Sequence, residues 1–192
     1  MKSKVNRFLF FIVTLLTFAT SLFAATYEID NAHSSVSFKI THLVSTVRGS
    51  FDSFKGTIDF DQKAIANSST SASIDVKTID TNNPKRDEHL KSADFFEVEK
   101  YPQITFTSKK VEEGKMTGDL TMHGVTKEVL LSFTFTGTAN DARGNERVGF
   151  SATTEIDRKD FGITYNKVLD NGGVMLGDKV KIEIEVEAVK KV

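Results

Sequence analysis

Cysteine and tryptophan are missing from the 192 residues, proline occurs only twice, and no basic block interrupts the charge pattern. Without cysteine there is no disulfide, no thiolate nucleophile and no thiolate metal ligand, so the fold must be held by its core. A lipoprotein anchor behind the leader, which needs a cysteine there, is excluded as well. Long hydrophobic runs are confined to Phe8 through Phe18, interrupted only by threonines. That run follows Lys2, Lys4 and Arg7 and precedes Ser21-Leu22-Phe23-Ala24. This is the pattern of a cleaved secretory signal over 1–24, too short and too weakly flanked for a stable span. The alternative is an uncleaved amphipathic anchor. The expected product is 25–192, one exported domain without an integral membrane anchor. Its 22 Lys+Arg, the total of 25 less three in the leader, stand against 26 Asp+Glu, a net charge of −4. Interspersed charge of this kind argues against nucleic acid or an anionic membrane surface as a partner.

What the sequence does have is alternation. Val36, Phe38, Ile40 and His42 share one face, with Ser35, Ser37, Lys39 and Thr41 on the other. The pattern returns at Ile58 and Phe60, at Ala72, Ile74 and Val76, and at Ile104 and Phe106. It continues through Met116, Leu120 and Met122, then Val129, Leu131, Phe133 and Phe135, then Val148, Phe150 and Ala152. The last run, Val180 to Ala188, carries Lys181, Glu183, Glu185 and Glu187 on its opposite face. Period-2 patterning means antiparallel strands with one wet and one buried face. Turn residues sit between them at Glu113-Gly114, at His123-Gly124-Val125-Thr126 and along 141–145. About eight such strands, with too few helices to cover a sheet, either close into a barrel or stack as a sandwich. The long runs 128–137 and 179–189 favour a barrel.

One helix is expected. Asn83 is placed to cap it, Pro84 suits the first helical position, and Asp87 and Glu88 fall in the positive first turns. Ser92 and Asp94 favour a turn, so the helix ends near Lys91. Tyr101, preceding Pro102, is pushed toward extended geometry and starts the next strand.

The stretch Arg86-Asp87-Glu88-His89 invites a catalytic reading. Asp87 and His89, two apart on a helix, point in different directions, so docking contacts are the plainer role. A hydrolase or isomerase using His89 and Asp87 is retained as an alternative. The four histidines show no ligand spacing, and no metal or catalytic constellation is expected. The Gly-rich loop from Asp170 to Asp178 does not join a strand to a helix, so it is no phosphate cradle. Its Val174, Met175 and Leu176 are either an apolar rim at a barrel mouth or a plug for the core. Inward positions are apolar and aromatic: Phe38, Phe60, Phe106, Phe133, Phe135 and Phe150. An eight-stranded barrel is either filled by such side chains or leaves room for one small ligand. A filled barrel would act through its surface, as a non-catalytic, stress-related interaction module.

Several motifs in order resemble the YceI-like family of secreted bacterial proteins. They are Asp30-Asn31-Ala32-His33-Ser34; Gly49-Ser50-Phe51 with Phe54-Lys55-Gly56; and Arg86-Asp87-Glu88-His89-Leu90-Lys91-Ser92. Asp94-Phe95-Phe96, Tyr101-Pro102, Gly118-Asp119-Leu120-Thr121-Met122-His123-Gly124, Arg158-Lys159-Asp160-Phe161-Gly162 and Gly177-Asp178-Lys179-Val180 follow. The resemblance implies a mainly β protein, a single antiparallel eight-stranded lipocalin-like barrel with one short helix and a hydrophobic tunnel. It also implies export to the periplasm, a polyisoprenoid or other long-chain lipid as a non-covalent ligand, no other cofactor, and a homodimer. The expected lining is Phe38, Ile40, Phe60, Phe106, Leu120, Met122, Leu131, Phe133, Phe135 and Phe150. His33, His42 and Arg86 are expected where a headgroup would sit.

Overall fold

The computed structural model describes residues 24–170 and 173–191. The leader expected over 1–24 lies, apart from Ala24, outside the described residues. Alternation along the chain becomes eleven antiparallel strand segments. They are β1 (Ala25–Ile29), β2 (Ser35–His42), β3 (Ser45–Phe51), β4 (Phe54–Phe60), β5 (Ser69–Asp75), β6 (Ile79–Asp80), β7 (Gln103–Glu112), β8 (Lys115–Met122), β9 (Val125–Asn140), β10 (Glu146–Asp157) and β11 (Leu176–Lys190). The ring runs β1, β4, β5, β7, β8, β9, β10, β11 and back to β1, a closed eight-stranded barrel. Closure leaves no open edge on that ring.

The count of eleven reduces to eight because three staves are broken in mid-length. β1 and β2 lie end to end along β11, pairing Ile29 with Ala188 and Val36 with Ile184. β4 and β3 follow them on the other side, and β5 and β6 follow in turn. The interruptions are stitched to one another. Asn31 donates from Nδ2 to the Asp52 carbonyl at 2.9 Å and accepts from the Phe54 N–H at 2.8 Å. The Asp52 and Ser53 N–H groups donate to the Thr78 carbonyl and hydroxyl at 3.3 and 3.1 Å. Backbone groups freed by each break are thus satisfied.

The helix forms where its capping residues place it. α1 spans Pro84–Lys91, with the Arg86 N–H donating to Asn83 Oδ1 at 3.1 Å. Its charged residues hold it to the barrel through one threonine. Buried Asp87 accepts from the Thr81 N–H at 2.9 Å and from its hydroxyl at 2.5 Å. Arg86 donates from Nε to Thr81 Oγ1 and from Nη2 to the Thr81 carbonyl, both at 2.7 Å.

The two ends of the barrel are finished differently. At the end away from α1, Tyr27, Phe60, Val148 and Ala188 form a small buried cluster. Burial first, and the hydrogen bond to Glu146 second, push the Tyr27 phenol up to about 12. At the α1 end lie the helix, Phe95, Phe161 and Ile163, the β8–β9 turn and the loop leading to β11. His123 and Gly124 make that turn with positive φ of 52° and 74°. This is the two-residue hairpin geometry the sequence suggests.

Candidate functional site

A cavity of about 500 Å³ lies inside the barrel. Phe38, Ile40, Phe60, Phe106, Leu120, Met122, Leu131, Phe133 and Phe150 all border it, joined by Phe51, Phe95, Phe96, Ile182 and Leu176. Phe38, Phe106, Phe133 and Phe150 face inward yet stay only half-buried. In a filled barrel those positions would be closed off by their neighbours; here they border open space.

Two glycines let the rings lie against the wall. A Cβ on Gly49 would meet the Phe38 ring at 2.5 Å, and one on Gly118 would meet the Phe106 ring at 2.4 Å. Each ring occupies the place of a neighbour's missing side chain and therefore does not project into the centre.

Two of the expected residues stand elsewhere. Phe135 is not in the cavity wall; its ring packs 5.0 Å from Phe60 and 5.5 Å from Phe150, within the cluster at the far end. The β9–β10 register shifts just beyond it, between Gly149 and Phe150, while Phe135 itself stays paired with Phe150. His33 lies outside the barrel, exposed, in the 3-10 turn after β1, with Nδ1 2.8 Å from Asp30. The histidine is tied to the residue that caps its own turn.

His42 and Arg86 do border the cavity, at the α1 end. Arg86 spends Nε and Nη2 on Thr81 and keeps Nη1 unused by those bonds. The wall at this end also holds His89, which the sequence offered only as a catalytic alternative, and Tyr165, Lys167 and Arg158, which sequence reasoning did not single out. His89 turns away from Asp87, placing Nε2 2.8 Å from Asp94 and its ring edge-on to Phe95 and Tyr165. Asp87 and His89 therefore do not form an acid–base pair.

Arg158, 3 % exposed, is the main polar anchor of this end. It donates to the carbonyls of Gly177 at 2.9 Å and of Ile163 and Tyr165 at 2.8 Å, and to Asp178 at 3.2 Å. Lys159 and Arg158 hold the Asp178 carboxyl below its ordinary value. No periodicity marks such a residue. Its only signal is the Arg158-Lys159-Asp160-Phe161-Gly162 motif.

A second charged cluster lies outside the barrel wall. Asp30, His33 and Glu187 bring ligand atoms within 4.8 Å of one another. The position a cation would take is held by Arg147, whose Nη1 donates to Asp30 at 2.8 Å and to Glu187 at 2.5 Å.

The comparisons with known proteins agree with this geometry. A model of the YceI-like domain matches residues 27–188. The chain belongs to the YceI-like family. A UPF0312 protein of Staphylococcus aureus strain MSSA476 is 42% identical over 163 residues, covering 84% of this chain and 95% of the relative. The solved YceI protein of Campylobacter jejuni is similar at a TM-score of 0.69 and 39% identity, covering 85% of this chain and 96% of that one. A polyisoprenoid binding domain from Saccharophagus degradans shares the fold at a TM-score of 0.67 and 15% identity, covering 87% and 99% of the two chains. Within this YceI-like barrel, the charged lining residues, the helix and the long loop lie at the α1 end, whereas the opposite end carries the cluster around Phe60 with Ser68, Ser69 and Thr70 beside it.

Proposed function

We propose that this YceI-like protein is a periplasmic carrier. It would enclose the apolar tail of an isoprenoid-type lipid, or of a similar long amphiphile, for transport, storage or protection. The observation that carries this reading is the cavity of about 500 Å³ walled almost entirely by aliphatic and aromatic side chains. Such a wall offers dispersion contacts and few hydrogen-bond partners, which suits a hydrocarbon tail and penalises a polar solute. Each buried methylene contributes roughly 0.8 kcal/mol, so a long tail is held without any specific polar contact. Arg86, His42, His89 and Lys167 at the α1 end supply donors for a headgroup, which orients the amphiphile with its tail toward the Phe60 end. The saccharophagan domain is described as binding polyisoprenoid, and its shared fold is compatible with this role. The ligand is non-covalent, no further cofactor enters the reading, and the role is binding rather than catalysis.

Export is read from the expected leader, and the periplasm and a homodimer from the family resemblance. Native mass spectrometry of protein purified from the periplasm, followed by organic extraction, tests lipid and oligomer together. A protein recovered empty from a lipid-rich host would sink the carrier reading. The filled-barrel interaction module needs an interior without this space. The hydrolase alternative needs Asp87 beside His89, whereas Asp87 is committed to Thr81.

A further inference from the structure

Among the described residues, five large aliphatic side chains are exposed: Leu43, Val44, Leu130, Val168 and Val174. Four of them gather on two neighbouring hairpin tips at the α1 end. Leu43 and Val44 form the β2–β3 turn, with Val44 fully exposed. Val168 and Val174 face each other across a short antiparallel bridge in the loop before β11.

Hydrogen bonds join the two hairpins into one rim. The Leu43 N–H donates to the Met175 carbonyl at 2.8 Å, which joins one hairpin to the other. Within the loop, Leu169 N–H donates to Gly173 O at 2.8 Å and Met175 N–H to Lys167 O at 3.0 Å. Asn166 pins its base through Leu176, donating from Nδ2 at 2.6 Å and accepting at Oδ1 at 3.0 Å. Buried Arg158 holds the Tyr165 and Gly177 carbonyls beneath it. Exposed apolar side chains thus sit on hydrogen-bonded backbone. The rim is also continuous with the cavity, because His42, Lys167, Met175 and Leu176, on the same two hairpins, are part of its wall.

We propose that this rim is a docking surface for a lipid bilayer. Leu43, Val44, Val168 and Val174 would seat among the acyl chains, so that a tail passes between membrane and cavity without crossing water. The proposal rests on the carrier reading for its purpose but not for its test. Four side chains on two tips fall far short of the ~20–30 residues per side of a stable protein interface, which disfavours a second copy of the chain as the occupant. Small exposed apolar projections are what an interfacial lipid contact uses. Near them, Lys167 and Arg48 are exposed and make no ion pair among the described residues, and Asp170 is the acidic group on the same loop. Apolar contact, not charge, is accordingly the main attraction.

The test is flotation of the full protein with vesicles of phosphatidylcholine mixed with phosphatidylglycerol, in low and in high salt. Wild type is compared with Val44→Asp, Val174→Asp and the double variant. Both positions are exposed, so circular dichroism and melting temperature should match wild type. The expected result is flotation that survives high salt and falls at least tenfold in the double variant. Lipid content is measured separately by native mass spectrometry. Wild type that carries lipid yet does not float overturns the docking proposal and leaves the carrier intact. Flotation without bound lipid does the reverse. Flotation abolished by salt and indifferent to the substitutions overturns the rim in favour of charge. A wild-type dimer that the substitutions convert to monomer, without flotation, assigns the rim to a second copy.

Discussion

Ala152 offers a direct test of whether the interior holds a tail. It lies on β10 between Phe133 of β9 and Ile184 of β11, half-buried, and borders the cavity. Replacing it with phenylalanine adds six ring carbons, roughly 100 Å³, or about three methylene volumes at ~30 Å³ each. On the same scale the cavity of about 500 Å³ admits about 16 methylenes. Affinity for a homologous series of single-chain amphiphiles should therefore rise by roughly 0.8 kcal/mol per carbon and then level off. The plateau is expected near ~16 carbons in wild type and near ~13 in Ala152→Phe. A sixteen-carbon ligand would lose about 2.4 kcal/mol, roughly 50-fold in affinity, while an eight-carbon ligand would be unaffected. Displacement of an environment-sensitive fluorescent probe reads both. Stability should be unchanged or improved, because the ring fills existing apolar space. If the variant folds normally and binds both chain lengths like wild type, the tail does not lie in this space and the carrier reasoning fails.

Three further outcomes are expected. Arg158→Met strands the carbonyls of Ile163, Tyr165 and Gly177, so urea denaturation should show a loss of about 3 kcal/mol or more, with Arg158→Lys recovering only part. Asn83→Ala removes the cap of α1 and should cost about 1 kcal/mol in the same assay, whereas no change would mean the helix is held by Thr81 alone. Arg147 first, and His33 second, lower the Asp30 carboxyl from 3.8 to about 2. A depressed folded-state value means the stabilisation is complete above the unfolded value and lost as pH falls through about 2. Acid titration of stability should show this limb in wild type and a flatter one in Arg147→Met; identical limbs would exclude the Arg147 cluster as its source.

Much of the wall was legible because strand geometry makes every second residue face the same way. That rule alone assigns Phe38, Ile40, Leu120, Met122, Leu131 and Phe133 to one side of their strands. The same rule places Phe135 on the side of Phe133, as the pairs Phe150–Phe135 and Ala152–Phe133 show. It does not say how far along the barrel the cavity extends: Phe135 packs on Phe60 and Phe150 and falls outside the wall. The helix was legible for a different reason. Asn83, Pro84 and the acidic first turn act through their own backbone neighbours, and those contacts span few residues. The roles of Arg86 and Asp87 as docking groups were likewise local, since both close on Thr81, only five and six residues away.

The residues that shape the α1 end were not legible, because their partners are distant or irregular. Arg158 is defined by carbonyls in a loop without periodicity, and His89 by a ring contact with Tyr165. The Gly-rich stretch likewise divides in the fold: Met175 and Leu176 border the cavity while Val174 faces solvent. By itself the sequence determined strand direction, the apolar face of most strands and the helix start, all properties of bonds and side chains near in the chain. Only the tertiary structure decided that eleven segments close as eight staves and that the phenylalanines border about 500 Å³ of space. It also decided that four exposed aliphatics meet at one end. Closure, void and rim depend on where distant strands and loops come together, and local periodicity carries no record of that.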